Sequence, residues 1–240
     1  MIAKSNAPRL AVLIDADNVN ADHAEAIFKE IASIGEASVR RAFGDWSSPR
    51  LKKWKDKESL LGLVADQQSS NTKGKNASDI GLVIAAMDYL HQGIFDAFVL
   101  ISSDSDFTRL ASRIREQGID VLGIGEMKTP EAFISACSKF IYIENLEPED
   151  EKNVSNAEKS EKNPPTKVVP LVLAAMRAID PEGEWYSLGP LGQKLTQTNN
   201  DFDSRTYGSS KLSDLLRKTG KFDVATRDQG NHLSARVKPQ

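Results

Sequence analysis

LAVLIDADNVN, residues Leu10 to Asn20, is an unbroken apolar run, Leu10 to Ile14, that ends in Asp15-Ala16-Asp17-Asn18. A short apolar run of this kind reads as a strand buried on both faces, the pattern of a parallel sheet. The two carboxylates and the amide at its tip admit three readings: turn chemistry, a phosphatase nucleophile, or one corner of a metal site. The rest of the chain has to choose among them.

Further β runs follow: ASVRRAF (37–43), LGLVAD (61–66), AFVLIS (97–102), DVLGIG (120–125) and FIYIENL (140–146). Between them AEAIFKEIASI, PRLKKWKDKESL, SDIGLVIAAMDYL, DFTRLASRIREQG and PEAFISAC read as helices. Ile80, Val83, Ile84, Met87 and Leu90 recur at helical spacing and are expected to face the core. Strand–helix alternation with continuous apolar strands argues for an α/β fold, a parallel sheet covered by helices on both faces. LEPEDEKNVSNAEKSEKNPPTK, beginning at Leu146, is too polar to bury anything and has linker composition. The expected division is residues 8–146, an acidic flexible linker at 147–165, and a second domain at 166–238.

Composition narrows the class. Hydrophobic content of 40% and charged content of 27% are those of a soluble globular chain. No apolar run approaches the roughly 18 residues of a membrane span, and MIAKSNAPR lacks a signal-peptide core. A single cysteine, Cys137, excludes an internal disulfide, so a reducing cytoplasmic setting is expected. The net charge of −3 gives no global attraction to nucleic acid. The segment after the linker is net positive, however, and the acidic excess falls in the first region and the linker.

In parallel α/β sheets ligands bind beyond the carboxyl ends of the strands. Asp15, Asp17 and Asn18 follow the first strand, Asp104 and Asp106 follow AFVLIS, and Asp79 opens a helix. Taken singly, each could cap a helix or make a turn. Together they would place several like charges on one rim, which a fold tolerates poorly unless a cation neutralises them. Carboxylates plus water are the ligand set of Mg²⁺ or Mn²⁺, ions that activate water and stabilise a leaving phosphodiester oxygen. Asp88 lies nine residues after Asp79, about half a turn away around the helix, so a shared ion is not expected.

IDADNVN, KNASDIGLVIAAMD and VLISSDSDF, in that order, resemble the NYN domain, a branch of the PIN-like nuclease superfamily, in its LabA-like (DUF88) form. The resemblance implies a PIN-like α/β/α sandwich and a metal-dependent ribonuclease centre. Carried over position by position, that centre would be Asp15, Asn18, Asp79, Asp104 and Asp106, with Asp15, Asp79, Asp104 and Asp106 holding Mg²⁺ or Mn²⁺. Ser103 stands where the family usually has Gly. VLIDADNV also fits the first motif of haloacid dehalogenase-type phosphatases, but no convincing catalytic Lys or Ser/Thr strand follows.

RRAFGDWSSPRLKKWKDK, Arg40 to Lys57, mixes basic and aromatic residues that could hold phosphates and stack bases, with Arg50, Lys53 and Trp54 foremost. A solvated helix face anchored by Trp54 and Leu51 is the plainer reading. Lys73 and Lys75, in the polar loop before Asp79, are placed to hold the scissile phosphate.

After the linker, VVPLVLAAMRAI, DPEGEWYSLGPLGQKL and SSKLSDLLRKTG give short helices, and KFDVATRDQGNHLSARV gives two β runs around Asp228-Gln229-Gly230. Three helices and a hairpin make a small winged helix-turn-helix domain. With Trp185, Phe202, Tyr207, Gly208, Leu212 and Leu215 at characteristic places, the region resembles the OST-HTH or LOTUS domain. That resemblance implies RNA as partner, with Lys211, Arg217 and Lys218 as candidate contacts, and leaves room for a homodimer or protein partner through this domain. The functional expectation is a metal-dependent ribonuclease with an RNA-binding module. The alternative of another class is an RNA-binding adaptor without physiological turnover.

Overall fold

A computed structural model describes residues 7–67, 77–146, 162–227 and 232–238. The chain divides into two compact units, residues 1–154 and 155–240.

In the first unit the elements run β1 (Arg9–Asp15), α1 (Ala24–Ile34), β2 (Glu36–Gly44), α2 (Lys52–Leu61), β3 (Val64–Gln67), α3 (Ala77–Gln92), β4 (Ala97–Ile101), α4 (Thr108–Glu116), β5 (Asp120–Gly125), α5 (Glu131–Ala136) and β6 (Lys139–Tyr142). The strands form one parallel sheet in the order β3-β2-β1-β4-β5-β6. The expected strand at the end of the unit stops at Tyr142, and Ile143–Asn145 turns instead as a short 3-10 segment. The LGLVAD strand starts late as well, because Leu61 still belongs to α2 and Gly62 closes that helix in the left-handed conformation, φ 61°.

Alternation along β1 explains the two layers. Leu10, Val12 and Ile14 face one core with Ile27 and Ile31 of α1 and Trp54 of α2. Ala11 and Leu13 face the other with Leu82 and Ala86 of α3, Leu110 and Ile114 of α4, and Phe133 of α5. Residues 10–14 are almost wholly inaccessible to solvent, so truncating Leu10, Leu13 or Ile14 to Ala costs about 2–5 kcal/mol.

The strand order creates the site. From β1 the chain steps outward through β2 to β3, then crosses back so that β4 lies on the other flank of β1. The adjacent tips of β1 and β4 are therefore where the winding direction reverses, the point at which open α/β sheets leave a crevice. A glycine lets the neighbouring loop close in: a Cβ at Gly125, the last residue of β5, would sit 2.5 Å from the Ser102 carbonyl oxygen.

The face that α3 turns inward differs from the expected one. Leu82 and Ala86 are buried, and Val83, Met87 and Leu90 pack at the margin of the core. Ile80 and Ile84 point outward and are 60% and 57% exposed.

The second unit holds α6 (Val169–Ile179), β7 (Tyr186–Ser187), α7 (Leu188–Thr198), α8 (Leu212–Thr219), β8 (Phe222–Arg227) and β9 (His232–Val237). β9 pairs antiparallel with β8 and with the two-residue β7, giving the order β7-β9-β8. Val172, Leu191, Leu195, Leu215, Leu216 and Phe222 fill its core. Leu215 is central there, and Phe202, Tyr207 and Leu212 pack at its margin. Gly208 takes a left-handed φ of 72° after a 3-10 turn, and Trp185 carries the Arg236 guanidinium 4.8 Å from its ring centroid. The Asn163 N–H donates to the Thr206 carbonyl at 3.0 Å, so this unit begins before residue 166. The remainder of the expected linker, 147–161, and the turn residues Asp228-Gln229-Gly230 lie outside the described residues.

Candidate active site

Asp15 ends β1 as a buried carboxylate, 1% exposed. The chain turns at once behind it, with the Asn18 and Val19 N–H groups donating to the Asp15 carbonyl oxygen at 3.3 and 3.1 Å. That turn brings Asn18 back so that its side-chain amide donates to Asp15 Oδ2 at 2.8 Å. Ser102, immediately after β4, donates its hydroxyl to the same Oδ2 at 2.7 Å. The other oxygen, Oδ1, is buried with no hydrogen-bond partner among the described residues. A buried carboxylate oxygen left without a donor is costly and marks where a cation or proton belongs. Burial accordingly raises the pKa of Asp15 above the usual carboxylate value, against the lowering by Asn18 and Ser102.

Ser102 joins two acidic loops. Its Oγ also accepts the Asp104 N–H at 3.0 Å. Asp104 is the N-cap of the 3-10 turn Ser105–Phe107, and its Oδ1 accepts the Asp106 N–H at 2.9 Å. The cap uses Oδ1 and leaves the carboxylate its charge. Ser103, the departure from the family's usual Gly, spends its hydroxyl on the Glu126 N–H at 2.9 Å and ties the loop after β4 to the loop after β5.

Asp79 stands in the first turn of α3, half exposed. Its pKa rises to about 6, first through partial burial and then through the negative charges of Asp15, Asp104, Asp106 and Asp17. This places the acids from all three sequence motifs within electrostatic reach of one another. Asp17 belongs to that field, yet its Oδ2 accepts the Asp45 N–H at 3.3 Å and so braces the loop after β2. Asp88 is exposed on α3 and is not among the main charges that raise Asp79.

The chemistry of this donor set fits a hard divalent cation: several carboxylates, an orphaned buried oxygen and mutual repulsion. As the side chains stand, no three acidic, histidine or cysteine side chains converge on a single point among the described residues. Bringing them together requires side-chain rotation, which exposed Asp106 and half-exposed Asp79 allow.

Two residues that sequence reasoning passed over line the same rim. Ser102 was hidden in the SSDSD run, where only its place at the strand tip signalled a role. Lys128, in the loop after β5, shares a cleft of about 280 Å³ with Asn18, Ser103, Asp104, Ser105 and Pro130. Its ammonium pairs with Glu126 Oε2 at 2.6 Å, which raises its pKa. The rule that pointed to the loops after β1 and β4 applies equally to the loop after β5.

The basic stretch is largely structural. Trp54 is buried, with its indole N–H on the Val19 carbonyl at 2.8 Å, so it has no face to offer a base, and the expectation of stacking there is overturned. Trp46 spends its N–H on the Asp66 carbonyl at 3.0 Å. Arg40 donates to the Ala37 and Leu61 carbonyls, and Arg41 pairs with Asp66 at 2.8 Å. Lys53 pairs with Asp22 at 2.5 Å on the surface, and Arg50 is exposed. Lys73 and Lys75 lie outside the described residues. In the second unit Lys211, Arg217 and Lys218 are exposed about α8; Arg217 pairs with Asp214 at 3.2 Å, and Lys218 reaches the Gly208 carbonyl at 2.5 Å. Cys137 is buried, which pushes its thiol up to about 12 and leaves it unreactive.

No helix among the described residues is long and apolar enough to cross a membrane. No curated protein matches the chain. The crystal structure of a protein of unknown function, VPA0982 from Vibrio parahaemolyticus, is similar at 20% identity over 58% of this chain and 96% of its own, with a TM-score of 0.48. A solution structure of the uncharacterized protein from locus NE0665 of Nitrosomonas europaea is 33% identical over 36% of this chain and 85% of its own, with a TM-score of 0.29. The model of the NYN domain matches residues 9–144 and that of the OST-HTH/LOTUS domain residues 162–234. NYN domains are a PIN-like nuclease family, and OST-HTH domains bind RNA. The chain therefore belongs to the NYN family and carries a C-terminal OST-HTH/LOTUS domain.

Proposed function

We propose that this protein hydrolyses RNA phosphodiester bonds at the β1–β4 crevice with the help of Mg²⁺ or Mn²⁺, and that its C-terminal domain retains the RNA. The observation that carries the proposal is Asp15, a buried carboxylate held by Asn18 and Ser102 with one oxygen left unpartnered at the reversal point of the sheet. Asp15, Asp79, Asp104 and Asp106 would hold the ion. When bound, it supplies positive charge for the phosphate and lowers the cost of deprotonating water.

The chain's own groups do the positioning. Ser102 fixes Asp15 and Asp104 relative to each other through a single hydroxyl. Asn18 keeps the Asp15 carboxylate oriented and is itself exposed toward the cleft that holds Asp104 and Lys128. Lys128 is the cation at hand for a neighbouring phosphate. Lys53, Arg50, Lys211, Arg217 and Lys218 remain proposed RNA contacts farther along the two domains, and Lys73 and Lys75 remain proposed contacts to the scissile phosphate.

The second reading is an RNA-binding adaptor without turnover, for which the C-terminal OST-HTH/LOTUS domain at residues 162–234 is the supporting observation. Incubation of labelled single- and double-stranded RNAs with Mn²⁺ or with chelator separates the two. Metal-dependent cleavage supports the nuclease; retained binding with no cleavage in any metal supports the adaptor. Phosphate release from small monoesters would instead favour phosphatase chemistry.

A further inference from the structure

Ile80 and Ile84 are one helical turn apart on the solvent side of α3 and both are exposed, although the core face of that helix is already supplied by Leu82 and Ala86. With Val83 and Phe107 they line a shallow cleft of about 280 Å³ whose remaining wall is Asp79 and Asp106. One end of this cleft is thus apolar and the other belongs to the acidic rim. We propose that the cleft is a nucleobase subsite, taking the unpaired base of a nucleotide next to the scissile phosphate. The inference rests on the reading of the rim as the place where an RNA phosphate is handled.

Size and continuity choose the occupant. A stable protein partner or second copy would need about 800 Å² from each side, and an apolar ledge built on two isoleucines is far smaller. It suits one planar base, whose faces pack on apolar side chains whatever its identity. A nucleotide with its phosphate at Asp79 and Asp106 has its base within one sugar's reach of Ile80 and Ile84. A base stacked and paired in a duplex has no free face to place there. Asp104 lines the Lys128 cleft and Asp106, two residues on, lines this one, so an RNA strand crossing the rim would meet both an apolar pocket and a cation. The subsite predicts that loss of one base near the cut is felt, with little preference among the bases.

The test uses the full-length protein with Mn²⁺ and a short RNA carrying single 4-thiouridines at successive positions. After irradiation, the cross-linked peptides are mapped and cleavage is measured in the same samples. The expected result is a cross-link to residues 79–84 or 105–107 from one nucleotide beside the cut. That cross-link should fall about tenfold in an Ile80→Ala/Ile84→Ala variant. Both side chains are exposed and Ala is a good helix former, so the variant keeps its fold. Cross-links only elsewhere, or undiminished in the variant, overturn the subsite, and if cleavage persists they leave the nuclease reading standing. A variant-sensitive cross-link to α3 without cleavage supports the subsite and overturns hydrolysis instead.

Discussion

Asp79→Asn should stabilise the metal-free protein, the reverse of what most substitutions do, although Asp79 is proposed to help hold the ion. The rise of the Asp79 pKa from 3.8 to about 6 would correspond to ~3 kcal/mol of strain in the ionised form if the group were fully buried. Asp79 is half exposed, so solvent screening reduces this to on the order of 1 kcal/mol. The first turn of α3 favours the same charge by only a few tenths of a kcal/mol, so repulsion by the other carboxylates wins. The sign in pH follows from linkage. A carboxyl whose folded pKa is raised binds its proton more tightly in the native state, so the wild type loses stability as pH rises from about 4 to above 6. The asparagine variant escapes that loss. Thermal unfolding of the NYN domain within the full chain, followed in chelator, should show the variant higher by about 3 °C at pH 8 and nearly level with wild type at pH 4. Added Mn²⁺ should then stabilise wild type more than the variant. A variant that melts lower at pH 8, or whose advantage does not depend on pH, would refute the idea that the acids repel one another there.

Other perturbations probe the supports of the site. Asp15→Asn keeps a carbonyl oxygen to accept from Asn18 and Ser102 and removes a buried charge, so the protein should fold while cleavage falls at least a hundredfold; Asp17→Asn, which alters a brace on the Asp45 N–H, should stay within a few-fold of wild type in the same gel assay. Ser102→Ala breaks the bridge between Asp15 and Asp104 and should cost ~1–2 kcal/mol in urea unfolding, with cleavage lowered and RNA affinity little changed. Gly125→Ala forces a Cβ to within 2.5 Å of the Ser102 carbonyl oxygen, and should destabilise the fold by ~1–3 kcal/mol and displace the acidic loop, visible as shifted amide resonances of residues 102–106.

How much of this was readable in the sequence depended on how local the determining physics is. α1 spans the expected AEAIFKEIASI end to end, and β1 was plain because a strand buried on both faces needs no alternation. The strand order is a property of long-range pairing, left no mark on any one segment, and came only with the structure. Tertiary packing also overrode periodicity on α3, where an Ile80/Ile84 pair that looks like core faces solvent because Leu82 and Ala86 already fill the interior. Trp54 went the other way: basic neighbours suggested an RNA face, and burial against Val19 removed it. The two-residue β7 is too short to carry a period, and it exists only because β9 passes beside it. In the site itself the acids were legible as residue types at strand ends. Ser102 and Lys128 were not, since a serine among serines and a lysine in a polar loop acquire meaning only when a second strand tip is brought beside them.

The central claim is that these carboxylates do metal-assisted hydrolysis rather than cap turns. Asp104→Asn separates the two roles, because an asparagine carbonyl can still accept the Asp106 N–H and keep the cap. Single-turnover cleavage of a bound RNA by wild type and Asp104→Asn in Mn²⁺, with melting temperature and RNA affinity measured alongside, is the most direct measurement. Melting and affinity should be unchanged and cleavage lost by a hundredfold or more. Wild-type cleavage rates in the variant would contradict it.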